Sequence, residues 1–336
     1  MSKVRDSSLA YQDLQPDDIL AAVESLGLRC DGRLLALNSY ENRVYQLGVE
    51  DGAQVVAKFY RPGRWSDAAI LEEHAFAFEL AARDVPVVVP LRRANRSLHR
   101  HGEFRFAVCP RVSGRVPELD DMRLLRQIGR LVARLHLCGQ VAGFEHRPRL
   151  TPALLGAASR DFLQQQGFIP AHVAAAYDTL CRDLLAEVEF AWSRAGARTL
   201  RLHGDFHPGN VLVRDEQVHI VDLDDTCSGP AMQDLWMFLS GDRREQEPQL
   251  AELLAGYLEF REFDPAELQL VEALRALRIM HYAAWIGRRW QDPAFRIAFP
   301  WFGTPRYWED HVLALREQLG LLQEPPLEWL PPLEGT

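Results

Sequence analysis

The chain has 336 residues, 47% of them hydrophobic and 25% charged, and a formal net charge of −9. That length exceeds one compact core and predicts two lobes. The composition is that of a soluble globular protein with no apolar run of membrane-spanning length, and the acidity excludes a general nucleic-acid binder.

In chain order, residues 13–27 carry Pro and acidic groups at the start and Gly at the end of an amphipathic run, which predicts a short helix. Met1 to Leu9 before it show no apolar leader, so a cytoplasmic protein is expected. Stretches 34–37, 44–49 and 55–60 read as strands joined by short polar turns, the beginning of an antiparallel sheet. The turn between the first two, Asn38 to Arg43, lacks glycine. Ser39 and Asn42 can donate side-chain hydrogen bonds to phosphate oxygens there, and a plain polar hairpin turn accounts for them equally well. Lys58 is an isolated cation in an apolar strand, and a half-buried ammonium needs a partner unless it reaches solvent. The helix predicted over 68–83 has Glu72 and Glu73 in its first turns, and Glu73 is the expected partner. Stretches 85–91 and 104–108 continue the sheet around a basic hairpin tip, 92–101. Cys109 to Gly114, with Pro110 and Gly114, reads as a hinge that divides the chain into a nucleotide-binding lobe, 1–110, and a catalytic and substrate lobe, 111–336.

Beyond the hinge the pattern is helical: 122–137, 153–166, 171–195, 231–240, 249–260, 265–290 and 307–321. His136, on an apolar helix face, reads as a packed core histidine. The five cysteines, at 30, 109, 138, 181 and 227, form no Cys-x-x-Cys pair and are odd in number, which predicts reduced thiols, with Cys227 a packing residue.

The helices are interrupted by the stretch from Arg201 to Thr226, which concentrates the chemistry. Runs 211–213 and 218–221 flank a polar turn and predict a small hairpin with Asn210 and Asp222 at its outer ends. His203-Gly204-Asp205, four residues and Asn210 reproduce the spacing of the protein-kinase catalytic loop, with a metal-binding Asp on a later strand. A hydroxyl attacking a γ-phosphate needs a proton acceptor, for which Asp205 is the candidate. Magnesium takes hard oxygen donors and keeps several waters, so Asn210 and Asp222 beside nucleotide phosphates suffice; Asp224, on the same face of a strand, would reach a second ion. Singly, these are turn residues. Gly204-Asp205-Phe206-His207 also suits a two-metal phosphoesterase, but no Gly-Asn-His triplet or His-x-His pair follows. Six residues, Leu223 to Ser228, separate Asp222 from Gly229-Pro230, which leaves no room for a phosphorylated activation segment.

His203 to Asn210 followed by Ile220-Val221-Asp222 is similar to the motif of the aminoglycoside and choline phosphotransferase superfamily of kinase-like folds. Asn38 to Gln46, Lys58-Phe59-Tyr60-Arg61-Pro62, Leu71 to His74, Val221 to Asp225, Gln233 to Met237 and Gln323 to Leu327 resemble one branch of it, the bacterial stress response kinase A family, also called YihE or RdoA. The resemblance spans nearly the whole chain. It implies an α+β, two-lobed protein-kinase-like fold, with an antiparallel sheet plus helix in the N-lobe and a mostly α-helical C-lobe. It implies an ATP- and Mg2+-dependent serine/threonine protein kinase acting on protein hydroxyls, monomeric, and linked to envelope and oxidative stress. By matching positions Asp205 is the base, Asn210 and Asp222 hold magnesium, and Ser39 and Lys58 face the phosphates. Asn42, Glu73, Cys109 and Val112 are expected to complete the nucleotide site. A small-molecule kinase and an ATP-binding scaffold without catalysis are the alternatives.

Overall fold

The structure, a computed structural model, describes Tyr11 and residues 14–329. The reading of Met1 to Leu9 lies outside the described residues. Five strands, β1 (Cys30–Leu37), β2 (Arg43–Val49), β3 (Gln54–Phe59), β4 (His99–His101) and β5 (Phe104–Pro110), form an antiparallel sheet in the order β1-β2-β3-β5-β4. Helix α1 (Pro16–Glu24) packs Ile19, Ala22 and Val23 with Leu47, Val55, Ala57, Phe59 and Phe106 of the sheet. Helix α2 (Asp67–Ala81) starts at Ser66, whose Oγ accepts from the Ala69 amide at 3.1 Å. Its Phe76, Ala77 and Leu80 are buried in the same cluster as Leu124, Leu125 and Ile128 of the C-terminal lobe. Burial of Phe76 and Leu80 stabilises that junction by roughly 1.5–3 kcal/mol each. Ile70 of the same helix is buried with Tyr60 and Ala107 of the N-terminal lobe, so the helix that carries Glu73 is anchored to both lobes.

Stretch 85–91, expected as a strand, is not one. Val87 makes an isolated parallel bridge with Ile220, and Ile220 donates to the Pro86 carbonyl at 2.8 Å. Pro86 and Pro90 lack the donors a ladder needs, so the segment crosses to the C-terminal lobe instead. Strand β4 comes from within the presumed hairpin tip.

The C-terminal lobe contains α3 (Met122–Gly139), a π-helical turn (Ala153–Ala157) running into α4 (Ala158–Gln165), α5 (Ala171–Ala195), α6 (Arg243–Leu258), α7 (Leu270–Arg288), α8 (Pro293–Ala298) and α9 (Pro305–Leu322). Helices α3 and α6 approach so closely at Gly129 and Gly256 that a Cβ at either would run into the facing carbonyl of Leu253 or Arg126. A second core joins α5, α7 and α9 through Tyr177, Leu184, Leu277, Met280, Trp308 and Leu315. Between the helices lie β6 (Leu200–Leu202), β7 (Val211–Arg214), β8 (Gln217–Ile220) and β9 (Cys227–Gly229); β6 pairs with β9, and β7 with β8. The β7–β8 turn places Asp215 and Glu216 at φ 48° and 63°, the left-handed pair a two-residue hairpin requires. Residues 231–240, expected as helix, form two 3₁₀ turns, Ala231–Asp234 and Trp236–Phe238. Helix α8 was not anticipated, although Asp292-Pro293 is an N-cap followed by Pro at the first helical position. All five cysteines are free.

Candidate active site

The loop from His203 to Asn210 is shaped from beneath. Asp234, wholly buried, accepts from the His203 amide at 2.8 Å and the Gly204 amide at 2.9 Å, and its Oδ2 lies 3.2 Å from His136 Nε2. His136 Nδ1 meets the Tyr257 hydroxyl at 2.9 Å, so this core histidine orients the carboxylate that orients the loop. Gln233 Nε2 donates to the Gly204 carbonyl at 2.7 Å, and Thr226 donates its hydroxyl to the Leu202 carbonyl. These demands pull residues 233 and 234 out of a regular helix. Gly204 sits at φ 87° against the Asp225 carbonyl, where a Cβ has no space. Phe206, fully buried between His203 and Phe238, pins the next residue.

Asp205 thus enters the cleft from a rigid loop. Its Oδ1 accepts from Arg278 Nη1 at 2.6 Å, and its Oδ2 lies 3.6 Å from His207 Nε2. Burial alone would raise this carboxyl, but the Arg278 guanidinium and His207 outweigh it and hold the group below the ordinary carboxylate range. Asn210 donates Nδ2 to the Asp205 carbonyl at 2.9 Å, which leaves its amide oxygen as the free acceptor end. Across the hairpin, the Val221 amide donates to the Asn210 carbonyl at 3.1 Å and sets Asp222 beside it. Asp222 lies in the left-handed region at φ 58°, a strained conformation for a non-glycine residue.

On the sheet side, Lys58 Nζ sits 3.4 Å from Glu73 Oε1, 3.1 Å from Asp222 Oδ1 and 2.9 Å from Asp224 Oδ1. Burial would strip its charge, but the three carboxylates hold its pKa well above the ordinary value. Glu73 is the helix partner; Glu72 instead accepts from the amides of Glu145, His146 and Arg147, at 2.6, 2.9 and 3.0 Å. Arg147, which sequence reasoning missed, joins Glu73 Oε2 at 2.5 Å, the Ala69 carbonyl at 2.9 Å and the Asp224 carbonyl at 2.7 Å.

Two expectations change. Asp222 and Asp224 do not share a strand face: Leu223–Asp225 is a 3₁₀ turn, and the Asp224 side chain is only 4% exposed. Lys58, Arg64 and Asn42 surround it, so a second ion would first have to displace one of them. Asn42 is likewise committed, with Nδ2 on Asp224 Oδ2 at 3.0 Å and Oδ1 accepting from the Arg61 amide at 3.1 Å, and its amide is not turned to the open loop. Ser39 lies half-buried in the β1–β2 turn, and Cys109, opposite Val56 on β5, and Val112 lie half-buried where the chain leaves the sheet.

The β1–β2 turn is tied across the cleft. Glu41 receives Arg289, the Trp285 indole N–H at 2.8 Å and Arg64 Nε at 3.2 Å, while Tyr40 packs against Phe299 with ring centroids 4.9 Å apart. Arg61 Nη2 bonds Asp292 Oδ2 at 2.7 Å. A glycine-free turn is compatible with a cover over phosphates when side chains, rather than backbone flexibility, hold it down.

The exposed Asp222 carboxylate and the Asn210 oxygen are hard donors that would suit a magnesium ion, and no group of three His, Cys, Asp or Glu that could hold a metal occurs among the described residues. That fits an ion held jointly with nucleotide phosphates. Among the described residues no helix is long and apolar enough to cross a membrane.

The sequence pattern of the phosphotransferase enzyme family (APH) matches residues 33–271. The chain is 44% identical over 328 residues to stress response kinase A of Escherichia coli (strain K12), covering 98% of this chain and 99% of that one. It is 43% identical, with the same coverage, to the serine/threonine protein kinase RdoA of Salmonella typhimurium. Among solved structures, an amicoumacin kinase bound to AMP-PNP and Ca2+ superposes with a TM-score of 0.69 at 17% identity, covering 91% of this chain and 93% of that one. A spectinomycin phosphotransferase bound to ADP gives 0.65 at 14% identity, covering 91% and 99%. The chain belongs to the APH phosphotransferase family, in the branch of stress response kinase A, and is a kinase of the two-lobed, protein-kinase-like fold.

Proposed function

We propose that this kinase is an ATP- and Mg2+-dependent serine/threonine protein kinase of the bacterial stress response, with Asp205 as the base. The observation that carries the reading is the convergence of Asp205, Asn210 and Asp222 from one loop and hairpin onto a cleft faced by the Lys58–Glu73 pair. Asp205 takes the proton of the acceptor hydroxyl as its oxygen attacks the γ-phosphorus, and ADP departs with the electrons of the broken bond. Lys58 leaves part of its carboxylate cluster for the α- and β-phosphates, and Glu73 and Arg147 hold it in place. Asn210 and Asp222 hold magnesium, which when bound neutralises phosphate charge. Ser39 faces the phosphates from the β1–β2 turn, and Cys109 and Val112 line the nucleotide where lobe 1–110 gives way to lobe 111–336. The protein acceptor and the stress role rest on the relatives' names at 43–44% identity over nearly the full length. A cytoplasmic monomer is part of the same reading.

A small-molecule acceptor is the second reading, because the superposing enzymes are named for amicoumacin and spectinomycin. Incubation with radiolabelled ATP against cell-lysate proteins and a panel of small alcohols separates the two. Label on protein Ser or Thr supports the first; label confined to a small alcohol overturns it.

A further inference from the structure

One cation in the cleft remains unexplained by packing. Arg278 leaves α7 between the buried Leu277 and Met280, so its backbone is fixed, and its side chain, 46% exposed, reaches Asp205 with Nη1 2.6 Å from Oδ1. A half-exposed ion pair adds little to stability, too little to account for an arginine placed on the proposed base. The other cleft cations have several fixed partners. Lys58 lies among Glu73, Asp222 and Asp224; Arg64 among Glu41, Asp224 and Asp225; Arg147 is bound to Glu73 and two carbonyls. None of these three is bonded to Asp205. Arg278 is bonded to it, and with Asp205 as the base that puts the guanidinium where the acceptor hydroxyl has to come.

Geometry then limits where it can act. An acceptor hydroxyl that gives its proton to Asp205 must come within hydrogen-bond reach of that carboxylate, about 2.6–3.2 Å. Arg278 touches the same carboxylate, so its guanidinium lies within a few ångströms of the attacking oxygen and of the phosphoryl group it attacks. A phosphoryl group in transfer spreads negative charge over three oxygens, and the planar fork of an arginine can contact two of them while a lysine offers a point charge.

We propose that Arg278 is the phosphoryl-binding residue of the acceptor side, resting on Asp205 in the nucleotide-free enzyme and contacting oxygens of the transferring phosphoryl group during catalysis. The proposal rests on the reading of Asp205 as base. In the step, the acceptor O–H bond breaks toward Asp205 and an O–P bond forms. The bond between the γ-phosphorus and the bridging oxygen breaks with its electron pair leaving on ADP. Arg278 exchanges neither proton nor electron.

The test uses the full chain with Arg278→Ala, Arg278→Lys and Asp205→Asn in parallel. Arg278→Ala should lower kcat by roughly 10²- to 10³-fold, with ADP affinity and Tm close to the parent. Its affinity for ADP with aluminium fluoride, which mimics the transferring phosphoryl group, should fall much more than its affinity for ADP alone. Added guanidinium ion at millimolar concentration should restore part of the rate of Arg278→Ala and none of the rate of Asp205→Asn, and Arg278→Lys should recover less than a tenth of the parent rate. A kcat within about threefold of the parent, a loss confined to acceptor KM, or equal losses of ADP and ADP–aluminium fluoride affinity would each overturn the proposal. If Asp205→Asn stays active while Arg278→Ala does not, the base assignment fails and the arginine's role stands. The opposite pattern removes the arginine alone.

Discussion

Behind and in front of the His203–Asn210 loop the same residue type does opposite things. Asp234, behind, is fully buried, and its two oxygens are occupied by two backbone amides and His136. Asp222, in front, keeps 53% of its side chain exposed, and Asp205 keeps 27% and shares its charge with side chains that end in the cleft. The back is a completed hydrogen-bond network that fixes geometry; the front is a set of charges whose present partners are an ammonium and a guanidinium that a nucleotide and an acceptor can replace. Preorganisation of this kind predicts that damage behind the loop appears first as instability, and damage in front as lost rate.

The sharpest break of that contrast pairs Asp205→Asn with Asp234→Ala. Asparagine keeps the shape of Asp205 and cannot take the hydroxyl proton, so turnover should fall roughly 10²- to 10⁴-fold with nucleotide affinity and Tm retained. Alanine at 234 leaves the buried His203 amide and the half-buried Gly204 amide unpaired, at about 1–3 kcal/mol each, and should lower the unfolding free energy by about 2–6 kcal/mol. Denaturant unfolding and steady-state turnover on both variants test it. An Asp205→Asn enzyme within a few-fold of the parent, or an Asp234→Ala chain of parental stability, removes the distinction.

A second comparison stays within the front. Asp222→Ala should weaken magnesium-supported nucleotide binding roughly tenfold more than Asn210→Ala, because a carboxylate brings formal charge to a cation and an amide only a dipole. Titration of magnesium against a fluorescent nucleotide gives the ranking, and the reverse order would exchange the two roles.

Much of the front was legible in sequence because its signals are short: the spacing from His203 to Asn210, the hairpin that follows, and a lone lysine in an apolar strand. Helix α5 occupies the expected 171–195. What could not be read joins distant residues. Arg278 is 73 positions from Asp205, and Arg64 is 160 from Asp224; neither arginine differs from a solvated one until the fold places it. Asp224 was assigned to a strand by its alternation with Asp222, but the left-handed turn at Asp222 ends the strand first. Strands β6 and β9, three residues each, are too short to carry a period. Their neighbours hold them: Thr226 donates to the Leu202 carbonyl, Arg201 is bonded to Glu79 and the Cys138 carbonyl, and Ser228 pairs with Pro148 and Leu150.

The back also contains a group at some cost, which gives a smaller and pH-dependent effect. Glu267 accepts from the Met232 amide at 2.8 Å, two residues before Asp234, and burial, against that hydrogen bond, pushes its carboxyl up from 4.5 to about 7. Folding favours its protonated form, so the contribution to stability is complete below about pH 4.5 and is lost as pH rises through about 7. Glu267→Gln keeps an oxygen acceptor and cannot ionise. The stability of the parent relative to this variant should therefore fall by about 1–3 kcal/mol from pH 5 to pH 8. Paired denaturant titrations measure it, and a difference that is flat with pH would place the Glu267 carboxyl in its ordinary range.

The smallest effect expected is none, and it concerns regulation. Of the six residues between Asp222 and Gly229, Leu223–Asp225 form a 3₁₀ turn and Cys227 already pairs with Leu202 in β9. Phosphorylation that orders a long loop through new arginine contacts has no segment to act on there. Nor has it a helix to recruit: α2 is buried against α3, Glu73 already faces Lys58 at 3.4 Å, and Arg147 already holds Glu73 at 2.5 Å. The arrangement that activation would have to build is present in the resting chain, so control would have to act through expression, a bound partner or closure of the lobes across the Glu41 and Arg61 contacts. Enzyme treated with a broad phosphatase, then freed of it, should show its full initial rate with no lag. A lag removed by preincubation with ATP would reveal activation by autophosphorylation elsewhere in the chain, and the idea of a site competent from the outset would have to be given up.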